Sequence, residues 1–304
     1  MMRIATTVFA ALALAGCATT PAPEAPAASG LDANAPAGMQ WLYGSGEAAG
    51  ASIQAWRGIA DYAIARSRER RVPQSIPMGI GGEVAPAQSC ARGDSWKPLA
   101  VVFDVDETVI LNMGYEFWSA STGTSFSKES WELWEKNGAS YVRPVPGAVT
   151  GIRRLREAGI TPVFNTNREF SPEGAAKAIA AAGLGEAVHR DTLFLRGDDG
   201  GNGDKDGRRA MIAERFCVIA LAGDNLGDFA DVFNDTDTLS PSQRRDLAAR
   251  GDLAQLWGNG WFVLPNPVYG PSLRGTLGEV YPEGTRWSPE TAPADAPAIM
   301  SEGN

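Results

Sequence analysis

Two aspartates and a threonine stand directly after an apolar run in the stretch "LAVVFDVDET", residues 99–108. Asp104 follows Phe103 with no polar transition, Asp106 comes two residues later, and Thr108 two residues after that. Two carboxylates at the tip of a buried strand are costly unless a cation or a hydrogen-bonding partner compensates their charge. One such carboxylate can act as a nucleophile, and the other can donate and accept a proton. The stretch therefore predicts a reaction site at the end of a strand.

The elements around this stretch alternate between strands and helices. Apolar runs predict five strands, at residues 99–104, 160–166, 192–195, 216–223 and 261–265. Helical patterns lie between them, at residues 146–159, 171–183 and 206–215. Continuous apolar strands separated by helices indicate an α/β fold with a parallel sheet that is covered on both faces. Ligands bind such sheets beyond the carboxyl ends of the strands.

That edge collects polar side chains from several parts of the chain. Besides Asp104, Asp106 and Thr108, the residues that we expect there are Thr166, Asn167, Arg168, Lys205, Asp224 and Asp228. Carboxylates so crowded require a cation, and oxygen ligands favour a hard one such as Mg²⁺. The sequence therefore predicts a magnesium site that a phosphate group completes.

Four motifs carry a family resemblance. "DVDET", the threonine of "FNTNR", Lys205 and "GDNLGD" resemble the four motifs of the haloacid dehalogenase superfamily, in the same order. The stretches "YVRPVPGAV", "FSKESWELW" and "LPNPVYG" are similar to the class C (subfamily IIIB) bacterial lipoprotein acid phosphatases and 5′-nucleotidases, over about residues 40–275. The resemblance implies a haloacid-dehalogenase-like Rossmannoid parallel sheet with a mainly helical cap. It also implies a Mg²⁺-dependent phosphomonoesterase that works through an aspartyl-phosphate.

The resemblance assigns roles to the motif residues. Asp104 is expected to be the nucleophile and Asp106 the general acid and base, while Thr166 and Lys205 hold the phosphate oxygens. The expected metal ligands are Asp104, Asp106 through its backbone carbonyl, Asp224 and Asp228.

Aromatic residues indicate the substrate class. In the family, two aromatic side chains that match Trp131 and Tyr269 hold a flat ring between them, which implies 5′-nucleotides and other aromatic phosphomonoesters. Asn112, Asn167 and Arg168 are further candidates for substrate binding. The stretch "YGPSLRG" departs from the family pattern, so the resemblance does not predict which residues form the rim of the pocket.

The chain ends predict an anchor and loose segments. Residues 1–16 resemble a lipoprotein signal peptide, and "LAGC" places Cys17 as the lipidated residue. Residues 17–39 are an Ala/Pro-rich tether, 40–287 the phosphatase domain and 288–304 a flexible tail. Within the domain we expect a core of about 96–112 and 142–270, and a cap from 40–95, 113–141 and the C-terminal flank. The expected location is the bacterial outer membrane or the periplasm.

Several alternatives remain at this stage. Asp106 could be a helix N-cap, Lys205 a solvated surface lysine, and "NGDKDG" part of a calcium loop. Cys90 and Cys217 could be free or form a disulfide. A non-catalytic surface lipoprotein that binds a ligand such as haem is the alternative function, although His189 is the single histidine. The net charge of −9 argues against a nucleic acid polymer as a partner, and the chain could form a homodimer.

Overall fold

Five parallel strands form the central sheet of the protein. The structure is a computed structural model, and it describes residues 31, 33–69, 72–235 and 237–289. In chain order, the strands are β1 (Met78–Ile80), β2 (Glu83–Ala85), β3 (Ala91–Arg92), β4 (Ser95–Trp96), β5 (Leu99–Phe103), β6 (Ile110–Leu111), β7 (Arg143–Pro144), β8 (Thr161–Asn165), β9 (Leu193–Phe194), β10 (Cys217–Gly223) and β11 (Trp261–Val263). The central sheet has the order β11-β10-β5-β8-β9, and every pair in it is parallel. The five strands predicted from the sequence are confirmed.

Helices cover both faces of this sheet. They are α1 (Ala37–Gly44), α2 (Gly46–Ser67), α3 (Met113–Thr122), α4 (Lys128–Asn137), α5 (Ala148–Glu157), α6 (Pro172–Ala181), α7 (Asp206–Arg215), α8 (Pro241–Ala248), α9 (Gly251–Ala254) and α10 (Leu277–Val280). Side chains alternate along β5, so that Val101 and Phe103 join the apolar cluster of α2, α5 and α6, while Ala100 and Val102 join that of α7. The predicted α/β architecture, with helices on both faces, is confirmed.

Local sequence signals set the helix ends. The Ser171 hydroxyl accepts a hydrogen bond from the Gly174 backbone N–H, and Pro172 occupies the first turn of α6. Gly159 follows α5 with a φ of +74°, the left-handed conformation that ends many helices. The apolar stripe of α5 consists of Ile152 and Leu155, whereas Val149 is exposed.

Helix α2, which lies within the residues 40–95 that we expected in the cap, packs on the central sheet. The indole of Trp56 in α2 stacks on the ring of Phe103 in β5, with the ring centroids 5.0 Å apart. Ile59 and Ala63 follow at helical spacing and are fully buried in the same cluster. The apolar face of α2 therefore covers the sheet, and the cap consists mainly of α3 and α4 in the insertion 113–141.

A disulfide joins Cys90 to Cys217 and resolves the alternative that the sequence left open. Cys217 begins β10, which lies next to the central strand β5, and Cys90 belongs to the loop before β3. The bond therefore fastens the segment between α2 and β5 to the sheet.

Most residues at the two ends of the chain are not among those that the structure describes. The signal peptide (1–16), Cys17 and most of the tether and tail lie outside the described residues, so the lipid anchor and the membrane location stay predictions. In the part of the chain that the structure describes, no helix is both long and apolar enough to cross a membrane.

Candidate active site

The loop after β5 places the first two aspartates at the carboxyl edge of the sheet. The Asp104 backbone N–H donates to the Ala222 carbonyl (2.9 Å), so Asp104 continues the pairing of β5 with β10. The chain then turns sharply, because the Val105 carbonyl accepts from the Val109 N–H (3.0 Å) and Glu107 adopts a φ of +55°. As a result, Asp104 and Asp106 both line one cavity of about 700 Å³.

Three carboxylates converge on this cavity. Oxygens of Asp104, Asp224 and Asp228 lie within 4.8 Å of one another. Asp224 is fixed by the Thr108 hydroxyl (2.9 Å) and the Asn266 amide (2.8 Å), both of which donate to it. All three offer oxygen ligands of the kind that hard divalent cations prefer.

Glycine is required where Asp228 approaches the end of β10. A Cβ on Gly223 would lie 2.2 Å from the Asp228 carboxylate. The Asn225 backbone N–H donates to the same carboxylate (2.9 Å) and fixes it there. The spacing of "GDNLGD" therefore follows from the packing of the second aspartate against the glycine.

Lys205 compensates two of the three carboxylates. Its buried ammonium group donates to Asp104 (2.5 Å) and to Asp228 (2.7 Å). Burial raises the pKa of Asp104 well above its usual range, against the effect of Lys205, and Asp228 and Asp224 raise it further. Burial and then the neighbouring Asp228 raise the pKa of Asp224 to about 7. The cluster thus carries more negative charge than one lysine neutralises.

The residues present fit a divalent cation. A group of three carboxylates with raised pKa values gains from a cation among them, and oxygen is the only ligand type that they offer. Asp106 stays a predicted ligand through its backbone carbonyl, while its carboxylate is not part of this group and contacts other partners.

Arg168 holds Asp106. The guanidinium of Arg168 donates to both oxygens of Asp106, the shortest distance being 2.7 Å, and the side chain is 1 % exposed. The Thr166 hydroxyl (3.3 Å) and the Asn112 amide (2.8 Å) donate to the same carboxylate. Burial raises the pKa of Asp106, but the charge and hydrogen bonds of Arg168 outweigh it, so the pKa lies below its usual value. The carboxyl group of Asp106 is therefore fixed in position, and it readily gives up a proton that it carries.

Two of the predicted substrate-binding residues have structural partners. Asn112 is fully buried, and its carbonyl oxygen accepts from the Trp134 indole (2.9 Å) and from Arg168 (2.8 Å). The side-chain amide group of Asn112 also donates to the Asp106 carboxylate and so helps to position it. The side-chain amide oxygen of Asn167 accepts from Arg208 (2.5 Å), and Asn167 also lines the cavity.

Aromatic side chains also line the cavity. Trp131 lies under the Arg168 guanidinium, 5.5 Å from its carbon to the ring centroid, and meets the Tyr115 ring edge to face at 5.0 Å. Tyr269 also lines the cavity, and its hydroxyl donates to the Glu107 carboxylate. The structure thus places both predicted ring-binding residues at one cavity with the aspartates.

The predictions missed the residues that position Lys205. The Asp231 carboxylate accepts from the backbone N–H groups of Lys205 (2.9 Å) and Asp206 (2.5 Å), so it caps the N-terminus of α7. Arg209, fully buried, donates to both Asp206 and Asp231. Two consecutive arginines in the short helix 206–215 were a signal for buried charge, because an arginine on the inner face requires a carboxylate partner.

The alternatives for single residues are resolved by these contacts. Asp106 caps no helix, since the next helix, α3, begins at Met113. Lys205 is 5 % exposed and is therefore not a solvated lysine. His189 donates or accepts at Asp198 (2.9 Å) on the surface.

A parallel sheet that carries an Asp-x-Asp pair, a buried lysine and an aspartate cluster at one edge defines a hydrolase of the haloacid dehalogenase (HAD) type. The family profile of the HAD superfamily, subfamily IIIB (acid phosphatase), matches residues 83–272, and the chain belongs to this family. It is an acid phosphatase, a hydrolase of phosphomonoesters. HAD phosphatases generally use a divalent metal ion.

Two solved structures have the same fold. The class C acid phosphatase from Bacillus anthracis with tungstate bound is 21% identical, with a TM-score of 0.60, over 77% of this chain and 84% of that chain. Another structure of the class C acid phosphatase from Bacillus anthracis is 22% identical, with a TM-score of 0.58 and the same coverage of both chains. At this identity the similarity supports the fold.

Proposed function

We propose that the protein is a Mg²⁺-dependent phosphomonoesterase that acts on 5′-nucleotides and other aromatic phosphomonoesters through an aspartyl-phosphate on Asp104. The observation that carries the proposal is one cavity that holds the aspartate cluster, the fixed carboxylate of Asp106 and the aromatic side chains of Trp131 and Tyr269. The groups proposed for phosphate chemistry and for ring binding thus line the same cavity.

The first half-reaction uses Asp104 and Asp106. A carboxylate oxygen of Asp104 forms a bond to phosphorus, and the bond from phosphorus to the leaving oxygen breaks. That oxygen takes a proton from Asp106, for which Arg168 and Asn112 fix the carboxyl group. The lowered pKa of Asp106 makes its protonated form the stronger acid.

The second half-reaction returns the enzyme to its starting state. Asp106 takes a proton from water, whose oxygen attacks phosphorus, and the bond to Asp104 breaks to release phosphate. Lys205, which lines the cavity, would donate to the phosphate oxygens as charge develops on them. Thr166, for which we expected the same role, is fully buried, and its hydroxyl donates to Asp106. Asp104, Asp224 and Asp228 would hold Mg²⁺, which supplies positive charge that offsets repulsion between the carboxylates and the substrate dianion.

A substrate panel with and without metal tests the proposal. Wild-type protein stripped with a chelator should be inactive on nucleoside 5′-monophosphates and aryl phosphates, and Mg²⁺ should restore turnover. Asp104→Asn should abolish turnover in Mg²⁺ while the protein melts within a few degrees of wild type, because the amide preserves the shape but is not a nucleophile.

The matched control is Asp252→Asn, which removes the same charge from an exposed carboxylate that pairs only with Arg250 among the described residues. It should leave activity unchanged. Full turnover of protein shown to be metal-free by elemental analysis would contradict the metal requirement. Wild-type turnover by Asp104→Asn, with deamidation excluded by mass spectrometry, would place the nucleophile elsewhere.

The alternative function finds no specific support. A haem-binding lipoprotein would need axial ligands, and the only histidine of the sequence, His189, is engaged with Asp198.

A further inference from the structure

Glu116 is a buried carboxylate whose role the chemistry above does not use. It lies on α3 of the cap and is 8 % exposed. Its side chain forms no hydrogen bond or ion pair with any residue that the structure describes. Glu135, a buried glutamate on the neighbouring helix α4, differs in this respect, because its carboxylate accepts from the backbone N–H groups of Glu169, Phe170 and Ser171. Glu135 thus has a structural role that Glu116 lacks.

Glu116 lines the active-site cavity. Glu116 is part of the cavity wall, and so is Ser119, one helical turn further along α3. Glu116 and Ser119 belong to the cap, whereas Asp104 and Lys205 of the same cavity belong to the edge of the sheet. A substrate with its phosphate at Asp104 would therefore share this cavity with Glu116.

An unpaired carboxylate in such a wall is unfavourable for the free protein. Burial raises the pKa of Glu116 to about 7, and no other group contributes to the shift. The desolvation cost of a buried acceptor is recovered when a donor binds to it, which makes such groups strong discriminators between ligands that carry a donor and ligands that do not. Tyr115 and Trp131 beside it supply the flat surfaces on which a ring can stack.

We infer that Glu116 is a specificity-determining residue, which selects phosphomonoesters whose ring carries an N–H donor at the end remote from the phosphate. The inference rests on the proposed function, since it assumes that the leaving group is a ring that enters this cavity. An amino group on the edge of the ring donates to the Glu116 carboxylate, whereas a ring without an amino group leaves the carboxylate unpaired.

Two pairs of substrates that differ by one amino group test the inference. The 5′-monophosphates of adenosine and purine riboside differ at one ring position, and those of guanosine and inosine at another. For the wild type with Mg²⁺, at a pH above 7 where Glu116 is ionised, kcat/KM should be about tenfold to a hundredfold higher for the aminated member of at least one pair, as expected for a hydrogen bond to a charged group. Glu116→Ala should reduce that ratio to near one, and Glu116→Gln, which keeps a neutral acceptor, should reduce it partly.

Glu129→Gln is the matched control, because Glu129 is an exposed glutamate of the same cap. It should leave both ratios at the wild-type values. Thermal melting of each variant checks the fold, and the nearly isosteric Glu116→Gln keeps the test valid if Glu116→Ala does not fold.

The outcomes separate this inference from the proposed function. A wild-type enzyme that turns over all four nucleotides with ratios near one would overturn the inference and leave the phosphatase assignment intact. A preference that survives Glu116→Ala, or equal losses on both members of a pair, would show that Glu116 is structural. No turnover of any nucleotide, with activity on aryl phosphates, would instead contradict the nucleotide part of the proposed function on which the inference rests.

Discussion

Replacing Lys205 with methionine should affect stability and catalysis in separable ways. In the protein without metal, the Lys205 ammonium is the cation that lies between the Asp104 and Asp228 carboxylates, at 2.5 and 2.7 Å. All three side chains are at most 10 % exposed, so solvent screens little of the interaction. Methionine keeps the length of the side chain and removes the charge, which leaves two buried carboxylates without this partner.

The size of the effect follows from that burial. Removal of one partner from a buried ion pair costs about 3–5 kcal/mol. For a domain of this size, each kcal/mol lowers Tm by about 2–4 °C, so the variant in chelator should melt about 6–20 °C below the wild type. Mg²⁺ supplies the missing positive charge, and it should therefore raise the Tm of the variant more than that of the wild type.

Activity should not recover with the stability. If Lys205 donates to the phosphate oxygens, its loss should lower kcat by about 10²–10³, even when the protein is saturated with Mg²⁺ and fully folded. The assays are thermal unfolding in chelator and in Mg²⁺, and kcat on one aryl phosphate well below the melting temperature.

Lys136→Met is the control for the loss of a lysine. Lys136 pairs with Glu132 on the surface of α4 and is 48% exposed, so its removal should cost no more than about 1 kcal/mol and leave kcat unchanged. A Lys205→Met protein that melts within about 2 °C of the wild type in chelator would refute the charge argument. A kcat within a factor of about three of the wild type would refute the role in catalysis.

Two further predictions concern the core and the cavity. Replacing both Cys90 and Cys217 with alanine removes a cross-link between residues that are 127 positions apart in the sequence. The chain-entropy model then predicts a loss of about 5 kcal/mol of unfolding free energy, which urea denaturation would show as a lower midpoint. A midpoint equal to that of the disulfide-bonded wild type would contradict this prediction. Trp131→Ala should raise KM for a nucleoside monophosphate by about tenfold to a hundredfold, because the ring of this substrate loses its stacking partner. It should leave kcat/KM for a small aliphatic phosphate nearly unchanged, because that substrate has no ring. Equal losses on both substrates would mean that Trp131 supports the cap instead.

Strand positions could be predicted well because they depend on local sequence. The run Leu99–Phe103 is apolar at every position, which is what burial on both faces of a sheet requires. Once the sheet is parallel, the residues that follow its strands must meet at one edge, so the convergence of Asp104, Asp224 and Lys205 could be anticipated from the order of the elements alone.

The position of α2 could not be predicted in the same way. Its helical pattern is clear, with Trp56, Ile59 and Ala63 on one face. However, an apolar face on a helix does not indicate which part of the protein packs against it. The contact between Trp56 and Phe103 joins residues that are far apart in the chain, and the family resemblance suggested a cap instead. The disulfide between Cys90 and Cys217 posed the same difficulty, because either cysteine alone fits a free thiol.

Glu107 shows most clearly why the surroundings of the site exceed what local sequence can reveal. Next to Asp106 it could be a charge at a helix start, yet its carboxylate accepts from Tyr43, 64 residues before it, and from Tyr269, 162 residues after it. It also accepts from the Asn112 backbone N–H (2.8 Å), and Asn112 in turn donates to Asp106. One buried carboxylate therefore ties the N-terminal helix, the start of the cap and the loop around Tyr269 to the aspartate loop. These segments come together only because the whole sheet is folded, so the catalytic motif could be found from its spacing, whereas the network that holds it in place could not.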